Sequence, residues 1–312
     1  MNKILITGAA GFIGSHLCER FIADGFEVYG MDNLITGSLE NLENIHSPFF
    51  HFIEHDVTEN WDTKTDFDLI LHFACPASPK DYLMYPVETL KANSVGTLKT
   101  LELAEKCGAR YIFASTSEVY GDALIHPQNE GYWGNVNSVG PRSVYDEAKR
   151  FSEALSMAYF RKGLDVRILR IFNTYGPRMK SNDGRVIPNF ISQALNSESL
   201  TIYGDGHQTR SFCYVDDLVG GILRISNIEG LNGEIINLGN PEEYSMLDIA
   251  EIILKKIKSQ SKIVFKPLPE DDPRRRRPDI SKAKDILNWE PQTPLDLGLK
   301  KTIKFFKSKL LE

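Results

Sequence analysis

The sequence predicts an α/β protein in which a doubly wound parallel sheet is joined to a smaller C-terminal lobe. Through the first half of the chain, apolar segments of strand length alternate with amphipathic segments of helix length. This alternation is typical of a parallel sheet covered by helices on both faces. A glycine-rich turn directly follows the first strand. Beyond residue 173, Gly and Pro separate shorter elements, which indicates a change of architecture.

Each element has its own local signal. Buried strands are predicted where apolar residues run together, at residues 4–7, 27–31, 49–54, 69–74, 110–114 and 166–171. Helices are predicted from apolar residues at helical spacing, at residues 14–24, 87–106, 145–161, 188–196, 215–225 and 246–258. We therefore expect one domain over residues 1–173 and a second, mainly substrate-binding lobe over residues 174–312, with a soft boundary that the chain can cross again.

Composition indicates a soluble protein of the cytoplasm. Hydrophobic residues make up 42% of the chain and charged residues 25%, as in ordinary globular proteins. A net charge of −6 gives no electrostatic reason to expect nucleic acid or an anionic membrane as a partner. The first strand begins at once, which leaves no room for a signal peptide, and no apolar run approaches the ~18 residues that span a membrane. The four cysteines show neither CxxC pairing nor zinc spacing, so we expect buried thiols and no metal.

The glycine-rich turn at residues 7–14 predicts a dinucleotide site on a Rossmann-type sheet. Gly8, Gly11 and Gly14 allow backbone to approach a pyrophosphate at a helix N-terminus. Asp32 ends the second strand, where a carboxylate accepts from both ribose hydroxyls and repels a 2′-phosphate, so NAD is preferred over NADP. A purely structural turn and a turn-forming aspartate are the alternatives. The predicted NAD contacts are Gly8, Gly11, Phe12, Ile13, Gly14, Asp32, Asn33, Thr36, Asp56, Val57, Ala74, Tyr145 and Lys149.

Two segments in the middle of the chain predict acid–base chemistry. Tyr145 and Lys149 are four residues apart and so share one face of a helix. An ammonium beside a phenol is expected to lower the phenol's pKa towards neutrality, as a general base requires. Thr116 and Glu118 follow the strand at residues 110–114, and open α/β sheets bind ligands at such strand ends. A capping or solvated carboxylate is the alternative for Glu118.

Together these motifs resemble the extended short-chain dehydrogenase/reductase family, also described as the NAD-dependent epimerase/dehydratase family, whose members act on nucleotide sugars. The resemblance spans nearly the whole chain and is closest to the members that decarboxylate UDP-glucuronate. Further stretches that carry it are residues 72–79, 115–121, 126–128, 132–137, 140–142, 170–179, 208–212, 237–241 and 271–279. Ser138, Val144, Ala148 and the pair Ile187-Pro188 depart from that group's usual residues, which leaves the base or the sugar open.

The resemblance implies an NAD-dependent lyase that converts UDP-glucuronate to UDP-xylose through a 4-keto intermediate. In that chemistry Tyr145 takes the proton of the sugar 4-hydroxyl, Thr116 hydrogen-bonds the same oxygen, and Lys149 holds the nicotinamide ribose. Glu118 assists the ring steps or relays a proton at C5, and Arg276 pairs with the substrate carboxylate.

Substrate contacts are implied for a further set of residues. This set is Tyr82, Ser117, Asn173, Arg185, Asn189, Tyr203, Arg210 and Arg276. Arg185 and Arg210 are expected on the diphosphate and Tyr203 near the uracil, with ordinary surface or core roles as the alternative. On composition alone, the arginine run at residues 274–277 is a solvated basic loop beside the acidic residues 270–272.

Two alternative kinds of function stay open at the level of sequence. The same fold could serve a 4-dehydrogenase, a 4-epimerase or a dehydratase on another nucleotide sugar, although dehydratases usually carry Asp where Ser117 stands. A non-catalytic sensor would need none of Thr116, Tyr145 and Lys149 as a set. By analogy with the family, the helices at residues 87–106 and 145–161 are expected to form a four-helix bundle in a homodimer.

Overall fold

The computed structural model describes residues 2–268, 273 and 275–310. Residues 270–272 and 274, which belong to the predicted acidic and basic runs, lie outside the described residues. The strands are β1 (Lys3–Thr7), β2 (Glu27–Asp32), β3 (Phe50–Glu54), β4 (Leu69–His72), β5 (Arg110–Thr116), β6 (Val166–Ile171), β7 (Thr174–Tyr175), β8 (Leu200–Tyr203), β9 (Thr209–Ser211), β10 (Cys213–Tyr214), β11 (Ile235–Leu238), β12 (Glu243–Ser245), β13 (Ile263–Lys266) and β14 (Arg275–Arg276). The helices are α1 (Phe12–Ala23), α2 (Pro79–Met84), α3 (Pro86–Lys91), α4 (Thr97–Cys107), α5 (Ser143–Arg161), α6 (Val186–Leu195), α7 (Val215–Asn227), α8 (Met246–Ile257), α9 (Ser281–Leu287) and α10 (Leu295–Lys309).

A seven-stranded parallel sheet confirms the predicted fold class. Its strand order is β11-β6-β5-β4-β1-β2-β3. The chain runs outward from β1 to β3 and then returns to β4 on the other side of β1, so the order reverses between β1 and β4. Ligands of open α/β sheets bind outside the carboxyl ends of the strands at such a reversal. The register sets Thr7 opposite His72 and Thr116 opposite Ile171, and thereby gathers the strand ends at one edge.

The core lies on both faces of this sheet because strand side chains alternate. Ile4 and Ile6 pack into a large cluster that extends to α1 and α7, whereas Leu5 packs into the cluster beneath α4 and α5. Each of these three residues is at most 1% exposed. Burying an aliphatic side chain of this size contributes roughly 1.5–3 kcal/mol, so the sheet is a rigid platform for its carboxyl edge.

The second lobe is made of short strands and the helices α6, α8 and α10. Two small sheets, β12-β9-β14 and β13-β8, belong to it. Strand β11 leaves this part of the chain and pairs with β6 at the edge of the main sheet. In the sheet β12-β9-β14, Arg276 is the register partner of Arg210. The lobe therefore brings two of the predicted substrate arginines together.

The helix expected at residues 87–106 is interrupted. It begins as α3 at Pro86, passes through a π-helical turn at Ala92–Gly96, and continues as α4. The π-helical turn packs closely on Val57, since a Cβ at Gly96 would lie 2.7 Å from Cγ2 of Val57. Helical periodicity alone does not reveal an inserted residue of this kind, and π-turns are frequent at functional sites.

Pro79 opens helix α2, which was not predicted. The Ser78 side chain accepts from the Asp81 backbone N–H at 3.1 Å, and Pro79 occupies the first turn. Proline suits that position because the N–H it lacks has no partner there in any case. Helices α9 and α10 were not predicted either. Among the described helices, none combines the length and the apolar character that a bilayer crossing requires.

Candidate active site

A cavity of about 780 Å³ runs along the carboxyl edge of the sheet from the glycine turn to the second lobe. All predicted site residues line it except Arg276. The cavity is formed by the ends of β1, β2, β4 and β5 on one side and by residues around α6 and β9 on the other. A pocket of this size at the strand-order reversal suits a dinucleotide with a second ligand beside it.

The glycine turn is shaped so that only glycine fits. A Cβ at Gly14 would lie 2.0 Å from the carbonyl oxygen of Gly8, and a Cβ at Gly8 would lie 2.8 Å from the Phe73 carbonyl. Gly8 also has a φ of +74°, in the left-handed region. Helix α1 begins directly after Gly11 without a side-chain cap, so its first N–H groups point into the turn. This is the arrangement that holds a pyrophosphate.

Two carboxylates line the cavity, Asp32 at the end of β2 and Asp56 after the end of β3. Asp32 accepts from the backbone N–H of Leu34 at 2.8 Å and of Ala10 at 3.0 Å, and burial raises the pKa of this carboxyl above its ordinary value. Asp56 accepts from the Asn33 amide at 2.7 Å. Burial opposes ionisation of Asp56 too, but hydrogen bonds from Thr58 and Asn33 outweigh it and lower the pKa. Asp32 lines the cavity, and its contact with the ribose hydroxyls of NAD stays a prediction.

The phenol of Tyr145 lies between a stacked ring and the end of β5. The Tyr82 ring stacks on it with centroids 5.1 Å apart and planes 9° apart, and the Thr116 side chain lies near its oxygen. The expectation that its pKa falls towards neutrality is wrong for this structure. Burial, with Cys75 and Glu118 nearby, raises the pKa of the phenol well above its ordinary value, although Thr116 and Arg185 act in the other direction.

Lys149 shows why the expected lowering is not found. Its Nζ donates to the carbonyl oxygen of Ala114 at 2.8 Å and lies 5.8 Å from the centroid of the Tyr145 ring. Burial also lowers the pKa of the ammonium. Desolvation favours the neutral form of both groups and outweighs their mutual attraction.

Glu118 lies near three arginines, Arg142, Arg210 and Arg276. Its Oε2 accepts from Nη2 of Arg142 at 2.6 Å and from Nη2 of Arg276 at 2.9 Å. Burial opposes ionisation, but the charges of Arg276, Arg142 and Arg210 outweigh it and lower the pKa of Glu118 to about 2. Glu118 is therefore ionised and paired with two guanidinium groups, in contrast to the solvated carboxylate of the alternative interpretation.

Arg276 differs from its prediction in where it points. The side chain is 1% exposed and donates to the carboxylate of Glu118 and to the backbone carbonyl of Ser117, two residues that line the cavity. In this structure the anionic partner of the Arg276 guanidinium is Glu118, where the prediction placed a substrate carboxylate. A buried guanidinium needs such a partner. Arg142, for which the sequence predicted no role, is the second cation on Glu118. The signal available was its position three residues before Tyr145, one turn away on the same helix.

The two diphosphate candidates both line the cavity, with different partners. Arg185 forms a two-point ion pair with Asp183, whose side chain is 5% exposed and was not predicted. Arg210 donates to the backbone carbonyls of Pro273 and, at 2.9 Å, of Thr209. Within the described part of the chain, no group of three or more His, Cys, Asp and Glu is suited to hold a metal ion.

Comparisons with known proteins identify the family. The profile of a family described as "NAD dependent epimerase/dehydratase family" matches residues 4–239. The chain is 52% identical over 311 residues to UDP-glucuronic acid decarboxylase 1 of Danio rerio, covering 99% of this chain and 73% of the relative. It is 53% identical over 300 residues to UDP-glucuronic acid decarboxylase 3 of Arabidopsis thaliana, covering 95% of this chain and 86% of the relative.

Solved structures share the whole architecture. UDP-glucuronic acid 4-epimerase from Bacillus cereus, in complex with UDP-glucuronic acid and NAD, superposes with a TM-score of 0.86 at 31% identity. The match covers 98% of this chain and 99% of the epimerase. UDP-glucose 4-epimerase from Thermotoga maritima, with UDP-glucose, gives a TM-score of 0.88 at 30% identity and covers 99% of both chains.

Proposed function

The chain belongs to the NAD dependent epimerase/dehydratase family, and from that premise we propose that it is an NAD-dependent lyase that decarboxylates UDP-glucuronate to UDP-xylose. Identity of 51–53% to UDP-glucuronic acid decarboxylases over at least 95% of the chain supports this activity. In the site, the observation that carries it is Glu118 held between Arg142 and Arg276 beside Tyr145. This cluster of cations suits a substrate that brings its own carboxylate.

Tyr145 is the base for the first step. Its oxygen, near the Thr116 side chain, removes the proton of the sugar 4-hydroxyl. NAD supplies the hydride acceptor for C4 and a positive charge in the cavity. Because burial raises the pKa of the phenol, Tyr145 needs such a charge nearby before it can act as a base at neutral pH.

The second step follows from the chemistry of the oxidised sugar. A 4-ketone next to the C5 carboxylate is a β-keto acid, which loses carbon dioxide because the enolate accepts the electron pair. The cations of Arg142 and Arg276 favour binding of the sugar carboxylate near Glu118, and Glu118 assists the proton transfer at C5. The bound cofactor would supply the hydride that restores C4, so the conversion to UDP-xylose would leave no net change in NAD.

The remaining residues hold the substrate. Arg185 and Arg210 bind the diphosphate, and Tyr203 lies near the uracil at the outer end of the cavity. The set Tyr82, Ser117, Asn173 and Asn189 lines the space between them. In this proposal residues 1–173 hold the cofactor and most of residues 174–312 hold the nucleotide sugar, with β11 as the segment that returns to the cofactor domain.

We also propose that the protein is a cytoplasmic homodimer. Apolar side chains that are 38–57% exposed lie on α2, α3, α4, the π-helical turn and α5, namely Leu83, Met84, Val87, Leu90, Val95, Leu98 and Phe151. A patch of this kind on a soluble protein marks an interface. Pairing of these helices with those of a second copy would form a four-helix bundle and bury the patch.

The test is mass spectrometry of the products after incubation with UDP-glucuronate. We expect carbon dioxide and a UDP-pentose, with no accumulation of NADH. UDP-galacturonate as the product would identify a 4-epimerase, and released 4-keto sugar with bound NADH would identify a 4-dehydrogenase. Bound NAD without turnover of any nucleotide sugar would favour a sensor.

A further inference from the structure

A second, smaller cavity lies behind the active site. It has a volume of about 210 Å³ and is lined by Gly121, Asp122, Asn135, Val136, Asn137, Arg142 and Asp146. Arg142 also lines the large cavity, so its side chain separates the two. Five of the residues that line the small cavity, Asp122, Asn135, Asn137, Arg142 and Asp146, have polar side chains. Arg142 joins this cavity to the proposed chemistry, because its Nη2 donates to Glu118 at 2.6 Å.

Asp146 is the buried acid of this small cavity. It follows Tyr145 directly in α5, is 6% exposed, and its Oδ1 is buried without a hydrogen-bond partner among the described residues. Its Oδ2 lies 4.0 Å from Nε of Arg142, one helical turn earlier. A buried carboxyl with an unpaired oxygen is costly, so an energetic reason is required to keep it there.

We propose that Asp146 is a positioning residue for the decarboxylation: it orients the guanidinium of Arg142 and so sets how firmly Arg142 holds Glu118. The guanidinium is a planar fork with its donors in fixed directions. Nη2 donates to Glu118 at 2.6 Å while Nε faces Asp146 on the other side. A shorter contact at Nε must therefore tilt Nη2 relative to Glu118. This inference rests on the proposed function.

Charged groups around Asp146 make this contact responsive to pH. Arg142 and Glu147 face it from α5, Glu118 from the turn after β5, Arg276 from β14, and Asp122 from the small cavity. Burial, together with Glu118, raises the pKa of Asp146 to about 7, although Arg142 and Arg276 act against the shift. Below that pH the neutral carboxyl leaves Arg142 to Glu118. Above it, the carboxylate competes for the guanidinium and loosens its hold on Glu118.

The experiment compares Asp146→Asn with Glu147→Gln, the neighbouring carboxylate on the same helix, whose side chain is 38% exposed. We expect Asp146→Asn, which fixes the neutral form that leaves Arg142 to Glu118, to keep kcat at the low-pH value of the wild type at every pH, with KM within about twofold. The inflection near neutral pH in the kcat profile of the wild type should disappear in Asp146→Asn. Glu147→Gln should keep both the rate and the inflection.

Two further variants protect the test against a simple folding defect. Asp146→Glu keeps the charge and should retain the inflection, whereas Arg142→Lys keeps a cation on Glu118 but loses the fork and should abolish it. A wild-type kcat and pH profile in Asp146→Asn would overturn the proposal. A lower rate in which the inflection persists would assign Asp146 a structural role only, which also overturns it. Carbon dioxide release by the wild type tests the proposed function separately.

Discussion

At the scale of single residues, burial and charge compete for control of each titratable group in the site. Tyr145 and Lys149 are both driven towards their neutral forms, since desolvation raises the pKa of the phenol and lowers that of the ammonium. Glu118 is partly buried, and two guanidinium groups keep it ionised. Which effect wins depends on whether an opposite charge lies within hydrogen-bond distance.

Replacement of Tyr145 by Phe tests the proposed base. The stack on Tyr82 is preserved because only the hydroxyl is lost. We expect kcat for UDP-xylose formation to fall by about 10²–10⁴-fold, the usual contribution of a general acid–base group. Affinity for NAD, measured by calorimetry, should stay within about twofold of the wild type.

Tyr159→Phe is the matched control, because Tyr159 lies on the same helix and is 6% exposed. It should leave kcat unchanged. A Tyr145→Phe enzyme that kept the wild-type rate would refute the assigned base.

At the scale of elements, the turn between β1 and α1 sets how close a ligand can come to backbone. Its shape depends on the contact between Gly14 and Gly8, where no Cβ fits. The π-helical turn between α3 and α4 also lies at the cavity, which its residue Ala92 lines. There Asn93 is fully buried and donates to the Sγ of Cys75 at 2.9 Å, at the wall of the cavity.

The Gly14→Ala variant tests the glycine turn. The added Cβ would lie 2.0 Å from the Gly8 carbonyl oxygen, so the turn must open and the N–H groups of α1 must move. We expect NAD affinity, measured by calorimetry, to fall at least about tenfold, since pyrophosphate binding depends on those donors.

Gly220→Ala serves as the comparison, because no atom lies within 4 Å of its added Cβ and the glycine is within helix α7. It should leave NAD affinity unchanged and stabilise the helix slightly. Equal NAD affinity in Gly14→Ala and the wild type would contradict the assigned pyrophosphate site.

At the scale of the whole molecule, the sheet and the second lobe enclose one cavity between them, while the apolar patch lies on the helices of the cofactor side. Among the described residues, the patch spans α2, α3, the π-helical turn, α4 and α5. Helices α4 and α5 pack on the sheet through their other faces, where Leu101 and Tyr159 are buried. The patch is therefore surplus to the core of a single chain.

Leu98→Glu tests the proposed dimer. Leu98 lies on α4 and is 38% exposed. A carboxylate placed in an apolar interface without a partner costs several kcal/mol, so we expect monomers by sedimentation equilibrium at concentrations where the wild type is dimeric. Leu297→Glu, on α10 and 45% exposed, should leave the assembly unchanged. A dimer that persists in Leu98→Glu would place the interface elsewhere.

The elements of the main sheet and the spacing of the motifs could be predicted from local patterns in the sequence. Apolar periodicity identified the strands of the main sheet up to β6 and most of its covering helices, and the spacing of Gly8, Gly11 and Gly14 identified the cofactor turn. The pair Tyr145 and Lys149 was equally readable, because four residues along a helix place two side chains on one face.

The protonation states of Glu118 and Tyr145 depend on contacts that form only when the chain is folded. Arg276 reaches Glu118 across 158 positions of sequence, and no local pattern reports such a contact. The same is true of burial, which depends on every element packed around a group and reverses the expected direction of the Tyr145 pKa. For the same reason the sequence did not predict a role for Asp146. Its neighbour Arg142 is close in sequence, but the Glu118 carboxylate that Arg142 also contacts comes from another element.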